Sequence, residues 1–233
     1  MSRKTKIQAE ARKVEASRKR KRSRIIASVF AVAVLAAAGF AYSSIIGTVP
    51  TAIRAATWDT KAVAPTDIAM GNPRASARIT EYGSLTCVHC ASFHERAFGD
   101  FKRDYIDTGK VYFVYSHFPY DGPSLQAATA VSCLPRSRQA DALATLYESQ
   151  GDWAVQKDVT GSVLNRLGLS TDETASAIRC VTDGKNQDQI TKVSYEARGH
   201  RISSTPTFVI NDGVYEGFMS SDVLGKIALG EDR

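Results

Sequence analysis

The stretch ARITEYGSLTCVHC, residues 77–90, joins a strand pattern to a pair of cysteines and decides the fold class of this chain. Residues 77–82 have the composition of a strand, and Gly83-Ser84 interrupts it. From Cys87 onward, apolar side chains recur every four residues, which predicts a helix. Residues 111–118 are rich in Val, Tyr and Phe and predict the next strand. The cysteines are therefore predicted at a strand-to-helix junction inside a β-α-β unit.

The chain changes character twice beyond this unit. Residues 124–199 carry apolar side chains at helical spacing in almost every stretch, and Ser170-Thr171-Asp172-Glu173 has the spacing of a capping box. Strand composition returns at 207–210, and Asn211-Asp212-Gly213 predicts a hairpin turn into a strand over 214–218. The order predicts a mixed α/β domain interrupted by a helical block.

The N-terminal residues differ from the rest in charge and hydropathy. Residues 1–24 hold 11 Lys and Arg against 2 Glu, a formal net charge of +9, whereas the remainder holds 19 basic and 22 acidic residues, a net of −3. Residues 25–46 contain no charged side chain, and a membrane-spanning helix needs about 20 apolar residues. The positive-inside tendency then predicts a basic cytoplasmic tail followed by a transmembrane anchor. The acidic remainder does not indicate a nucleic-acid partner.

A cleaved signal peptide is the alternative to an anchor, because Ala36-Ala37-Ala38 offers small residues of the kind found before a cleavage site. The long basic region and the apolar residues that continue past this point favour the anchor. Both alternatives export the rest of the chain. Residues 47–73 contain Pro and Gly without an apolar period, so we expect a linker there and a domain over 74–233.

The chain has four cysteines, Cys87, Cys90, Cys133 and Cys180. An even number in an exported domain is typical of two disulfides, and the close spacing favours pairing Cys87 with Cys90. For Cys133 and Cys180 we expect a disulfide that joins two helices of the helical block. A second redox pair or a regulatory bridge is the alternative.

The position of Cys87 at or near the start of a helix predicts that the sulfur atoms of Cys87 and Cys90 differ in pKa and in burial. Free backbone N–H groups and the positive end of the helix dipole favour its thiolate and lower its pKa. A protonated His89 adds a positive charge, and its ring can donate a hydrogen bond to sulfur. Cys90 lies one turn further in, where its sulfur is more buried and stays protonated. We therefore expect Cys87 to be the exposed sulfur that reacts with substrate and Cys90 to resolve the mixed disulfide.

Two other sites are compatible with paired cysteines. Half of a zinc site needs a second pair at suitable spacing, but Cys133 and Cys180 lie far apart in the sequence and only His94 follows nearby. A copper-binding, metallochaperone-like protein would hold Cu(I) on the two thiolates. We predict no metal and no cofactor.

Several segments resemble the DsbA-type periplasmic thiol–disulfide oxidoreductases, from about residue 65 to the C-terminus. They are Gly71-Asn72-Pro73, Ile79-Thr80-Glu81-Tyr82, Leu85-Thr86-Cys87-Val88-His89-Cys90, Phe93-His94, Phe118-Pro119 and Ser204-Thr205-Pro206-Thr207-Phe208. The resemblance implies a thioredoxin fold with a helical insertion over about 121–185, here preceded by one N-terminal transmembrane helix. It also implies a catalytic domain in the bacterial periplasm, either tethered to the inner membrane or, after cleavage, soluble.

The resemblance assigns roles to further residues. Thr205-Pro206 matches the family's cis-proline loop, which binds substrate beside the redox cysteines, and Val88 belongs to the same substrate-facing surface. Glu81 matches an acidic residue behind the active site that assists proton transfer at Cys90, although a solvent-facing strand glutamate is the alternative. Cys133 and Cys180 resemble a second, disulfide-bonded pair present in some members.

The implied activity is the introduction of disulfides into cysteine-containing exported proteins, with reoxidation by a DsbB-type membrane protein. A periplasmic reductase or isomerase that keeps the pair reduced is the alternative. The best-known members have Pro where this chain has Val88, which bears on how oxidising the pair is.

Overall fold

A six-stranded sheet organises residues 49–231, the part of the chain that the computed structural model describes. The strands are β1 Arg54–Ala55, β2 Ile68–Met70, β3 Ala77–Gly83, β4 Val111–His117, β5 Thr207–Ile210 and β6 Gly213–Glu216. Their order across the sheet is β1-β6-β5-β3-β4-β2. Only β3 and β4 are parallel, and every other neighbouring pair is antiparallel. The strand that leads to the cysteines is therefore central and paired on both sides.

The helix after the cysteine pair, which we call α1, covers residues 88–106. It consists of α-helical Val88–Phe93, π-helical His94–Phe98, α-helical Gly99–Phe101 and π-helical Lys102–Ile106. Apolar residues spaced four apart drift around a regular helix of 3.6 residues per turn. The wider π turns reduce this drift, so that Phe93, Ala97 and Phe101 all face the core.

Among the described residues seven further helices follow, and the first six of them form the helical block. They are α2 Gly122–Ser132, α3 Arg136–Glu148, α4 Gln150–Trp153, α5 Val159–Arg166, α6 Thr171–Asp183, α7 Lys185–Gly199 and α8 Ser221–Leu229. The predicted capping box is confirmed, because Ser170 accepts from Glu173 N–H while the Glu173 carboxylate accepts from Ser170 N–H. The block continues to Gly199, beyond the expected boundary at about 185, because α7 begins at that point.

The segment expected to be a linker, residues 47–73, contributes two strands to the sheet. β1 pairs with β6, and β2 pairs with β4 through Ile68, which is 3% exposed. Arg136 of α3 also donates hydrogen bonds to the backbone carbonyls of this segment. The domain thus begins before residue 74. Strands of two and three residues are too short to produce an apolar period.

The predicted basic tail, residues 1–24, and the predicted anchor or signal, residues 25–46, lie outside the described residues. Within residues 49–231, no helix combines the length and the apolar character needed to cross a membrane.

Cys133 and Cys180 form a disulfide, as expected. Cys133 caps the C-terminus of α2, and Cys180 lies in α6. Asn186 of α7 donates to Ser132 O at 3.0 Å and lies against both sulfur atoms. The bridge therefore fastens helices of the block to one another.

The core joins the sheet, α1 and the helical block. Phe93 of α1 and Phe208 of β5 are both 0% exposed, and their ring centroids are 5.0 Å apart. Burying an aromatic ring of this size contributes about 2–3 kcal/mol. This contact fixes the helix that carries the cysteines against the strand that follows Thr205-Pro206.

Candidate active site

Cys87 is the N-cap residue of α1, just before its first helical residue Val88. Its backbone is extended, with φ −79° and ψ 118°, and its Sγ accepts a hydrogen bond from Cys90 N–H at 3.4 Å. An N-cap side chain normally satisfies one of the free N–H groups at a helix start, and here a sulfur atom takes that place. The strand-to-helix junction predicted from the sequence is present.

Hydrogen bonds lower the pKa of Cys87 to about 5. The largest contribution is the hydrogen bond from the Cys90 thiol, while burial opposes it. A hydrogen bond from the Thr205 side chain and the backbone N–H groups of Cys90 and His89 lower the pKa further. The thiolate is therefore the dominant form of Cys87 at neutral pH.

Cys90 has the opposite properties. It is 0% exposed, and burial is the main reason why its pKa is raised above the ordinary thiol value. Its hydrogen bond to Cys87 and the negative charge of Glu81 raise the pKa further. The pKa is thus lower at Cys87 than at Cys90, as predicted. The prediction that Cys87 is exposed is wrong, because only 5% of the residue is accessible.

The loop before β5 covers Cys87. The Thr205–Pro206 peptide bond is cis, as the resemblance implied. The Thr205 carbonyl oxygen lies 3.3 Å from Cys87 Sγ and accepts a hydrogen bond when Cys87 is a thiol. Pro206 O in turn accepts from Gly217 N–H at 2.8 Å, which fixes the loop to the end of β6.

His89 and Val88 occupy the exposed side of the helix start. His89 contributes to the low pKa of Cys87 through its backbone N–H, whereas we expected its ring to act. The ring is exposed because the helix start turns this side chain outward. Val88 is 64% exposed and lies beside Cys87 in a surface groove.

Glu81 is a buried residue of the central strand, so the alternative of a solvent-facing strand glutamate is wrong. Its side chain is 0% exposed, and its Oε2 lies 2.9 Å from His94 Nε2. Its Oε1 has no hydrogen-bond partner among residues 49–231. A buried carboxylate with one unsatisfied oxygen is costly, which is typical of a functional rather than a structural position.

Several residues around this carboxylate were not predicted as site residues. His94 stacks on Tyr147 of α3 with ring centroids 4.4 Å apart, and Tyr147 OH bonds Tyr115 OH at 2.7 Å. Gly83 is required here, because a Cβ at this position would come within 2.5 Å of the Tyr115 ring. The sequence signal for His94 is its position four residues after Cys90, on the same face of α1.

The helical block holds the turn that precedes Cys87. Gln150 Nε2 donates to Leu85 O at 2.8 Å and to Cys87 O at 3.2 Å. Thr86 Oγ1 donates to Asp121 Oδ2 at 2.7 Å, at the start of α2. The insertion therefore fixes the backbone around the reactive cysteine.

Comparison with known proteins finds relatives whose names refer to disulfide chemistry. A family model described as thioredoxin matches residues 63–228. A Rickettsia conorii protein, provisionally named a protein-disulfide oxidoreductase, is 28% identical over 167 residues, covering 68% of this chain and 57% of that protein. Disulfide bond formation protein D of Bacillus subtilis is 28% identical over 163 residues, covering 66% of this chain and 71% of that protein.

Solved structures share the fold. Wolbachia pipientis alpha-DsbA1 is 28% identical with a TM-score of 0.62, covering 72% of this chain and 93% of that chain. Oxidised BdbD from Bacillus subtilis has a TM-score of 0.66 at 21% identity, covering 78% of this chain and 99% of that chain, and shows likeness of fold alone.

The matched region exceeds half of the chain and includes the cysteine pair, Glu81 and the cis-proline loop. This chain therefore belongs to the thioredoxin family, among its DsbA-type members.

Proposed function

We propose that this chain is a thiol–disulfide oxidoreductase that introduces disulfides into cysteine-containing exported proteins. The observation that carries the proposal is the hydrogen-bonded Cys87 thiolate, with a pKa of about 5, next to the fully buried thiol of Cys90. Such an arrangement provides one sulfur that leaves easily from the mixed disulfide and one that takes up a proton when the active-site disulfide opens.

The reaction begins from the oxidised Cys87–Cys90 pair. A substrate thiolate attacks Cys87 Sγ, the Cys87–Cys90 bond breaks, and Cys90 leaves as a thiolate that takes up a proton. A second substrate thiolate then attacks the substrate sulfur of the mixed disulfide, and Cys87 leaves as a thiolate. The substrate loses two electrons and two protons, and the protein gains the two electrons. One proton remains on Cys90, and at neutral pH the other is released to solvent.

The stabilised thiolate sets the favoured direction. The hydrogen bonds that lower the pKa of Cys87 stabilise its thiolate, which forms only when the Cys87–Cys90 disulfide is open, so they favour the reduced protein. A pair whose reduced form is favoured gives its disulfide away. This supports oxidation of substrates rather than their reduction.

Serine variants of the two cysteines test the reaction. We expect Cys87→Ser to abolish oxidative refolding of a reduced substrate and the reduction of insulin, because the sulfur that substrate contacts is gone. In Cys90→Ser we expect the Cys87 thiolate to attack an insulin disulfide, releasing one insulin thiolate, and to remain as a mixed disulfide with insulin that is visible on a non-reducing gel. Retention of both activities in Cys87→Ser would contradict the proposal.

Glu81 is proposed to exchange the proton of Cys90. Its negative charge acts on Cys90, it lies inside the protein, and His94 holds one of its oxygens at 2.9 Å. The other oxygen has no partner within the described residues. We propose that this carboxyl group passes a proton to the Cys90 thiolate as that thiolate leaves.

The change Glu81→Gln removes this proton donor while keeping a similar shape. We expect the rate of substrate oxidation to fall about tenfold to 100-fold, because no side chain then passes a proton to Cys90 as it leaves. We also expect the pKa of Cys90 to fall, because Glu81 no longer repels its thiolate.

Stopped-flow measurement of peptide oxidation over a range of pH provides the test. The matched control is Asp188→Asn, which removes an exposed carboxylate from α7. A rate and pH profile unchanged from the parent protein would show that Glu81 exchanges no proton.

Residues 25–46 are proposed to anchor the protein in the inner membrane, with the redox domain in the periplasm and a DsbB-type membrane protein as its oxidant. The uncharged span and the basic residues before it support this topology. We expect the full chain in the membrane fraction after an alkaline wash, and a chain without residues 1–46, exported by a cleavable signal, in the soluble fraction. Recovery of a shortened full-chain product in the soluble fraction would support cleavage instead.

A further inference from the structure

We propose that the groove beside Cys87 selects substrate segments with an acidic side chain close to the reacting cysteine. The proposal rests on the proposed function, because it takes the occupant of this groove to be a substrate segment. It adds a substrate class, defined by charge, to the thiol–disulfide exchange reaction.

The groove has a volume of about 790 Å³ and begins at Cys87. Its apolar surface comprises buried Phe118 and Ile202 together with exposed Val88 and Tyr120. This surface can bind apolar side chains of an extended peptide, whatever the charge of its other residues. Apolar contacts discriminate only weakly between similar side chains. Selectivity therefore has to come from the polar groups.

Two of the polar side chains in the groove carry a permanent positive charge. Arg198 and Arg201 both line the groove, at the end of α7 and in the turn that follows. Among the groove-lining residues that the structure describes, none is Asp or Glu. Neither arginine forms an ion pair with any residue of the described range 49–231.

Arg198 is held in place before substrate arrives. Its Nη2 donates to Pro119 O at 3.0 Å, and its Nη1 donates to Ser194 Oγ. The guanidinium carbon lies 4.5 Å from the centroid of the Phe118 ring, which forms part of the groove. A fixed cation loses little side-chain entropy on binding a carboxylate.

Arg201 is placed by its backbone. Its φ is +61°, a value that residues other than Gly rarely adopt. Its N–H donates to Arg198 O at 2.9 Å. Arg54 Nη2 donates to Arg201 O at 3.1 Å. Residues held in this left-handed region cluster at binding sites, where surrounding contacts maintain them.

Asp121 lines an adjacent cavity together with Arg198, and both of its oxygens accept hydrogen bonds from other groups. Asp121 Oδ2 accepts from Thr86 Oγ1 at 2.7 Å, and Asp121 Oδ1 accepts from Ser124 N–H at 2.7 Å. A substrate carboxylate therefore meets two cations that form no ion pair with residues 49–231. Complementary charge at a rim mainly raises the rate of association and weakens with salt.

Peptides with a single cysteine provide the test. Three peptides differ only in carrying Glu, Gln or Lys at one position, and this position is moved over the three residues on each side of the cysteine. The oxidised full-length protein is mixed with each peptide, and the second-order rate of mixed-disulfide formation is measured. Each rate is divided by that of the same peptide with bis(2-hydroxyethyl) disulfide, an uncharged reference that removes differences in intrinsic thiol reactivity.

We expect Glu peptides to react faster than Gln peptides, and Gln faster than Lys, by about threefold to fivefold per step at one or more positions, with the differences shrinking at high salt. Arg198→Gln and Arg201→Gln should each reduce the preference, and Arg201→Glu should shift it towards Lys. Arg198→Lys keeps the charge and should keep the preference. Arg74→Gln, an exposed arginine outside the groove, is the matched control and should change nothing.

Equal normalised rates for Glu, Gln and Lys at all positions would overturn this inference and leave the proposed function intact. So would a preference for Glu that survives both Arg→Gln changes. Failure of the Gln peptides to react at all with the parent protein would instead overturn the proposed function, and this inference with it.

Discussion

Hydrogen bonds converge on Cys87 Sγ from two parts of the fold, and the remaining features of the site follow from them. The start of α1 provides the backbone N–H groups and the thiol of Cys90, and the loop before β5 provides Thr205. The packing of Phe93 on Phe208 holds these two parts together, and Gln150 of the helical block fixes the backbone of Leu85 and Cys87. A displaced helix or loop would leave the thiolate without its donors, so the fold and the acidity of one sulfur are directly linked.

This stabilisation of one charged sulfur comes with the burial of groups that prefer water. Cys90 is fully buried with a raised pKa, and Glu81 is buried with one oxygen that has no partner in the described part of the chain. The Glu81 charge and the Cys90 thiolate disfavour each other, so the interior can hold one negative charge far more easily than two. This coupling explains how proton uptake at Cys90 is tied to opening of the disulfide.

The sequence predicts the features that depend on residues close together in the chain. The β3-α1-β4 unit and the position of the cysteines follow from local patterns, and the Ser170 capping box follows from its spacing. The Glu81–His94 pair joins a strand to a helix, so no single period reveals it. β1 and β2 are too short to show a pattern. The role proposed for Arg198 and Arg201 depends on the groove that they line, and this groove is visible only in the folded structure.

The central claim is that the protein stabilises the thiolate of Cys87 and thereby makes the Cys87–Cys90 pair an oxidant, and the reduction potential of the pair as a function of pH tests it most directly. With a Cys87 pKa of about 5, reduction takes up two protons below that pH and one above it. The potential should fall by about 59 mV per pH unit below pH 5 and by about 30 mV per unit above it, and at pH 7 it should lie well above the value of about −270 mV typical of thioredoxin. A potential near −270 mV, with the steeper slope persisting to the ordinary thiol pKa of about 8.5, would contradict the account.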